Sequence, residues 1–217
     1  MSKISVISYD NNCSEHKSEC VAGCEIIYSG PQINRRKLRR FISRHGIDRA
    51  VVSGDVPDFV LPELSRVGVS LCTGERLMRC IYPKLISRAA KLYKTCDSCT
   101  VYDESADDET LRIIECAAMH FKNVALCTQS ESTHIAEQVM SSIGLALKLG
   151  ECEGVGIVYR GKGGTQKVNV DLTSGSTTVF ADENNSIITP SVAEAIAGED
   201  IDLHVLERLK LKIYSLC

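Results

Sequence analysis

Residues 99–149 constrain the fold more than any other stretch, because the hydrophobic period switches back and forth along them. Cys99-Thr-Val-Tyr-Asp103 reads as a strand, about Ala106 to Phe121 as a helix, and Val124-Ala-Leu-Cys-Thr128 as a strand. About Thr133 to Ser142 reads as a helix and Leu145 to Leu149 as a strand. Leu111, Ile114, Ala118 and Phe121 fall on one face of the first helix, and Ile135, Val139 and Ile143 repeat every fourth residue along the second. Two consecutive β-α-β units with short linkers predict a parallel sheet covered by helices. Ser105 and Asp108 have the spacing of a capping box, and Asp107, Asp108 and Glu109 suit the positive end of a helix. Ser132 is a candidate N-cap for the second helix, and Gly144 can reverse the chain after it.

The flanking regions are simpler. Lys3–Tyr9, Glu25–Tyr28, Asp48–Ser53 and Val67–Cys72 read as strands; a helix is expected from about Ile33 to His45, with Gly46 as its C′ residue. A short helix fits near Leu61–Val67, and a long one from Glu75 to Lys94 that Pro83 should kink or split. Residues 10–23 read as a polar, turn-rich stretch. After Gly150 the strand-like runs Gly154–Tyr159 and Gln166–Asp171 are joined by Arg160-Gly-Lys-Gly-Gly-Thr165, which reads as a hairpin turn. Helices near 191–197 and 203–211 close the chain. The expected architecture is α/β: a small α/β lobe over 1–94, then a Rossmann-like parallel sheet with an added antiparallel hairpin over 95–217. The first part holds 16 Lys and Arg against 9 Asp and Glu, the second 9 against 19, so a basic lobe precedes an acidic domain. Such asymmetry suggests faces that attract, within one chain or between copies in a homo-oligomer.

Composition excludes some classes. The 217 residues are 44% hydrophobic and 24% charged, which is globular rather than disordered. The apolar run at the start is too short for a signal peptide, and none approaches the ~18 residues of a membrane span. A cytoplasmic protein without membrane contact is expected, and its 11 cysteines then read as reduced thiols.

Chemistry has five candidate locations, the last of which, Arg160-Gly-Lys-Gly-Gly, lacks the spacing of a P-loop and reads as a hairpin tip. The first is the carboxyl edge of the strands, where open α/β sheets bind ligands. Ser53 and Asp55, Asp103 and Ser105, and Thr128 and Ser130 follow three strands there, and helix N-termini at that edge favour a small anionic or polar ligand. No Gly-x-Gly-x-x-Gly follows a strand, and Asp103-Glu-Ser-Ala-Asp107 puts carboxylates where a pyrophosphate would lie, which argues against NAD(P). The second is Cys13, His16, Cys20 and Cys24, three thiols and an imidazole in twelve residues, a donor set suited to structural zinc. The third, Cys96-x-x-Cys99, leads into a strand and so lacks the helix end that activates redox pairs. The fourth is the basic run Arg35-Arg-Lys-Leu-Arg-Arg40, which has no interleaved aromatics and reads as a charged outer face rather than a nucleic-acid site.

In element order, Thr100–Leu149 resembles the Rossmann-like halves of the glutamyl-tRNA reductase and shikimate dehydrogenase families. It looks more like uncharacterised bacterial Rossmann-like α/β proteins, through Val101-Tyr-Asp103, Asp107-Asp-Glu109, Val124-Ala-Leu126 and Ile143-Gly144. The resemblance implies a fold and carries no catalytic residue over. The leading functional expectation is a small-ligand-binding or regulatory protein using the strand-end cleft. The alternatives are an enzyme acting at that cleft without the NAD(P) fingerprint, and a metal-stapled interaction module.

Overall fold

Central strands of a parallel sheet are buried on both faces, so they read as unbroken apolar runs rather than alternating ones. The computed structural model buries residues 4–7 and 99–102 in the central strands of two sheets, each run carrying one small polar residue, Ser5 and Thr100. It describes residues 3–8, 17–29, 34–164, 166, 168–172, 180–181, 187–199, 201, 203–210 and 212–213. The chain divides into two compact units: Met1–Leu77 with Val179–Tyr214, and Met78–Thr178 with Ser215–Cys217. The second unit is therefore inserted into the first, whereas the sequence suggested a single division at 94/95.

The first unit opens with β1 (Lys3–Ser8), β2 (Lys17–Val21) and β3 (Cys24–Ser29), followed by α1 (Arg35–His45) and β4 (Arg49–Ser53), then α2 (Val60–Arg66) and β5 (Ser70–Leu71). The strand order is β2-β3-β1-β4-β5, parallel except for the β2–β3 hairpin. Ala22 and Gly23 turn that hairpin with positive φ at both positions, as two-residue hairpin loops require. Strand β2 lies within the stretch expected to be turn-rich. Its described side chains Ser18, Glu19 and Cys20 are exposed at the sheet edge, so it carries little apolar signal.

Helix α1 starts at Asn34, whose side chain accepts from the Lys37 N–H, and ends at Gly46 in the left-handed conformation, whose N–H donates to the Ile42 carbonyl. It buries Leu38, Phe41 and Ile42 against Ile7, Ile27, Ala50 and Leu64. Its sequence has no acidic residue, and Arg35, Arg36 and Lys37 occupy the first turn, against the helix dipole. Arg36, Arg40 and Arg44 repeat at i, i+4, where each like-charge pair costs a few tenths of a kcal/mol. The buried apolar stripe holds this helix, not its surface charges.

The division between units falls inside α3 (Glu75–Leu92), which keeps Pro83 within one helix instead of being split by it. The second unit continues with β6 (Ser98–Tyr102), α4 (Asp108–Ala118), β7 (Asn123–Cys127) and α5 (Thr133–Ile143). Strands β8 (Lys148–Leu149), β9 (Val155–Val158) and β10 (Val168–Asp171) complete it. Its sheet has the order β10-β9-β6-β7-β8 and every pairing is parallel. Strands β9 and β10 are therefore not the expected hairpin. The Arg160–Gly164 segment belongs to a connection between parallel neighbours.

The passage from β8 to β9 is five non-helical residues, 150–154, laid across β6. The Thr100 hydroxyl donates to the Cys152 carbonyl and accepts from the Cys152 N–H, both at 3.0 Å. Gln166 accepts from the Gly154 N–H and donates to the Cys152 carbonyl at 3.0 and 2.7 Å. Gly154 has φ +150°, and a Cβ there would lie 2.1 Å from the Ser98 carbonyl oxygen.

The chain then returns to the first unit with β11 (Phe180–Ala181), β12 (Ile187–Ile188), α6 (Pro190–Ala197), α7 (Leu203–Arg208) and β13 (Lys212–Ile213). The antiparallel addition is found here, as a β12-β11-β13 sheet. Buried Glu194 of α6 accepts from the Leu77 N–H at the start of α3, and Arg49 donates to the Ala195 carbonyl at 2.8 Å. Counted by unit, Lys and Arg against Asp and Glu are 14 to 16 in the first and 11 to 12 in the second. The charge asymmetry of the two sequence halves is thus not an asymmetry of the folded units. Among the described residues no helix is long and apolar enough to cross a membrane.

Candidate functional site

In the second unit the chain runs from β6 outward to β7 and β8 on one side, then to β9 and β10 on the other. The switch point lies between the carboxyl ends of β6 and β9, the place where sheets of this order hold ligands. The Asp103 N–H donates to the Cys127 carbonyl and the Tyr159 N–H to the Tyr102 carbonyl, so the ladder extends one residue past each strand. Asp103 leaves the sheet at the end of β6, and Arg160 leaves it at the end of β9.

Their side chains meet. Arg160 Nε donates to Asp103 Oδ1 and Nη2 to Oδ2, both at 2.8 Å. The same guanidinium donates from Nη1 to Asp107 Oδ2 at 2.8 Å and from Nη2 to Asp107 Oδ1 at 2.7 Å. Four of its five N–H groups are thereby used, and its plane lies over the Tyr159 ring, 4.6 Å from the centroid. The Asp103 side chain is fully buried, and its remaining acceptor capacity is filled by the Thr110 hydroxyl and the Ser105 N–H. Such a carboxylate is tolerable in the interior because it is paired and fully hydrogen-bonded.

Asp107 is also the N-cap of α4. It accepts from the N–H groups of Glu109 and Thr110, while the Thr110 hydroxyl accepts from the Asp107 N–H. The capping box is therefore Asp107 with Thr110, not Ser105 with Asp108. The Arg160 hydrogen bonds, helped by those two backbone N–H groups, hold the Asp107 carboxyl well below the ordinary carboxylate range. The two carboxylates in turn raise the Arg160 guanidinium above its usual value, the Asp107 hydrogen bond first. Ala106, between the two aspartates, has φ +52°. The left-handed conformation disfavours any residue with a Cβ, and here the bonds on both sides hold it.

The expected edge residues divide between the units. Ser53 and Asp55 lie in the first unit, both exposed, at the end of β4. Asp103, Ser105, Thr128 and Ser130 share the edge of the second. Ser130 N–H donates to Thr128 Oγ1 at 3.1 Å, and Ser130 Oγ donates to the Glu104 carbonyl at 2.5 Å, tying the β7 loop to the β6 loop. Helix α5 starts at Ser132 without a side-chain cap hydrogen bond. The glycines after Arg160 lie close against the edge: a Cβ on Gly161 would meet the Glu104 carboxylate at 2.5 Å, and one on Gly164 the Tyr102 hydroxyl at 2.4 Å. Beneath them the Tyr102 hydroxyl and Asn169 Oδ1 are buried without a hydrogen-bond partner among the described residues. Groups of that kind ordinarily have a water or ligand partner.

Arg160 is the site residue that the sequence placed at a hairpin tip instead of at this edge. The available signal was an arginine two residues after the end of the fully apolar Val155-Gly-Ile-Val158 run, close to a strand end. Of the proposed zinc ligands, Cys13 and His16 lie outside the described residues. Cys20 is exposed on β2 and Cys24 is buried at the start of β3, where burial pushes its thiol up. Among the described residues no group of three or more His, Cys, Asp or Glu could hold a metal ion.

No family model and no curated protein matches the chain. Solved structures with a similar chain path include L-tryptophan dehydrogenase from Nostoc punctiforme, 9% identical with a TM-score of 0.34, over 72% of this chain and 56% of that one. D-lactate dehydrogenase with NAD+ from Lactobacillus jensenii is 10% identical with a TM-score of 0.29, over 73% and 62%. Shikimate dehydrogenase from Aquifex aeolicus is 11% identical with a TM-score of 0.28, over 72% and 68%. The match spans less than two thirds of the length of the first two. The strand order and helix placement define the class: this is a Rossmann-like α/β protein.

Proposed function

We propose that the protein binds a small polar or anionic ligand at the strand-end crevice of its second unit and acts as a ligand-binding or regulatory protein. The observation that carries this reading is the convergence of three strand-end segments there. They are bonded to one another through Arg160 and Ser130, and they flank a helix start, that of α5, which no side chain caps. The start of α4 is occupied by Asp107, and Arg160 is committed to two carboxylates. The groups left for a ligand are the Ser105, Thr128 and Ser130 side chains and the first N–H groups of α5. Carboxylates at the α4 start also favour a ligand without a pyrophosphate. A cytoplasmic setting fits this reading, since the nine described cysteines form no disulfide.

Native mass spectrometry of freshly purified protein tests it, reporting retained small molecules and subunit number together. The expected result is a non-covalent mass that is retained by wild type and lost from a Thr128→Val, Ser130→Ala variant. No retained mass, with no thermal shift from any member of a polar metabolite panel, would remove the crevice from consideration. A ligand that survives in Asp103→Asn and in the Thr128/Ser130 variant would do the same.

A further inference from the structure

Helix α1 has a surface that neither the proposed crevice nor the packing of the first unit uses. Its buried stripe is Leu38, Phe41 and Ile42. Arg39 is paired with the buried Glu63 of α2, and Arg35 lies over the Phe59 ring at 5.9 Å. The remaining cations, Arg36, Lys37, Arg40 and Arg44, are all exposed, and none has an ion-pair partner among the described residues. At ~100° per residue these four lie within about a quarter of the helix circumference, and from Arg36 to Arg44 the face runs ~12 Å. Like charges at i, i+4 and cations in the first turn both oppose the helix. Among the described residues no carboxylate pairs with them.

We propose that this face of α1 is a docking surface for the phosphate backbone of a nucleic acid. Three of its four cations are arginines, whose planar forks bind phosphate oxygens two at a time. Its ~12 Å length spans about three to four phosphates of one strand at ~3.4 Å of rise each. A lipid surface fits less well, because the exposed face carries no apolar side chain to insert: the three apolar residues of α1 point into the core. The acidic surface of a second copy fits less well too, because the acidic second half of the sequence does not fold as one strongly acidic body. The two units carry net charges of −2 and −1.

The test is fluorescence anisotropy with the full chain and a labelled 20-nucleotide single strand and 20-base-pair duplex, from 20 to 200 mM salt. Wild type should bind both, with log K against log salt falling at a slope of roughly −3 on the duplex, the value for three to four neutralised phosphates. Changing Arg36, Lys37, Arg40 and Arg44 together to Gln should weaken binding at least ~30-fold at low salt and flatten the slope. The single change Arg40→Gln, which leaves the fold untouched, should reduce the slope by about 1. Changing the exposed Lys94 and Lys148 to Gln should leave both unchanged. Failure of wild type to bind either probe at 20 mM salt overturns the proposal. So does a slope insensitive to Arg40→Gln, binding only to phosphatidylserine vesicles, or salt-sensitive self-association in its place.

Discussion

The Asp103 carboxylate sits in the interior only because Arg160 is there, and the two belong to one structural device. Removing one partner of a buried pair leaves an uncompensated charge and typically costs 3–5 kcal/mol. The Arg160 side chain is 34% exposed, so water can partly replace it, and we expect Arg160→Met to cost about 2–3 kcal/mol in urea unfolding. The double change Arg160→Met with Asp103→Leu should recover much of that loss, since no charge then remains buried. A double variant no more stable than Arg160→Met alone would show that the pair does not act as a unit. Asp107 supplies the pH dependence. Its folded-state pKa lies below the unfolded value of about 3.9, so its contribution is fully present above about pH 4 and is lost as pH falls below that toward the folded value. Wild type should therefore lose more stability between pH 5 and pH 2.5 than Asp107→Asn, a residue that can still cap α4. Equal losses would mean that Arg160 does not hold the Asp107 carboxylate in solution.

A parallel sheet normally needs a helix to carry the chain from one strand back to the next, and the β8–β9 passage manages with five non-helical residues. It does so because one hydroxyl, that of Thr100, satisfies both the N–H and the carbonyl of Cys152 as they cross β6. Thr100→Val keeps the shape and removes both bonds, and should cost about 1–3 kcal/mol by leaving the part-buried Cys152 N–H unmet, while the carbonyl keeps its bond from Gln166. Gly154→Ala should cost at least as much, because its Cβ would meet the Ser98 backbone and not a side chain that can swing away. Either variant unfolding at the wild-type urea midpoint would show that this crossing is not the constraint described. The β-α-β units were legible in the sequence because amphipathic helices and apolar strands announce themselves locally. The parallel pairing of β9 with β10 was not, since a glycine-rich link between two strands has the same local composition whether it turns back or carries on. Asp103 and Thr128 could be flagged from their place after strands. The pairing of Asp103 with Arg160 could not, because an ion pair between residues 57 apart leaves no local periodicity.

At the scale of the whole molecule the telling feature is that the first unit is completed by a segment about a hundred residues further along the chain than its opening part. Residues 78–178 contain a complete five-stranded parallel sheet with α4 and α5, and we expect that fragment to unfold cooperatively on its own. Residues 1–77 should not fold alone. The start of α3 loses Glu194, Arg49 loses its carbonyl partner in α6, and Gly74, packed against Pro190 and Ser191, loses its neighbours. A cooperative transition for 1–77, or none for 78–178, would contradict the division. Composition along the chain could not reveal this arrangement, because the basic residues 78–94 and the acidic residues 179–214 exchange sides when the chain folds. The arrangement also orders events at the ribosome. At ~5–20 residues per second, the hundred residues between Leu77 and Val179 delay the closing segment by about 5–20 s. In that interval the later-made unit can finish while the earlier strands wait with an apolar face unmatched. Chaperone dependence during synthesis should therefore concentrate on the β1–β5 sheet, although it is made before the β6–β10 sheet.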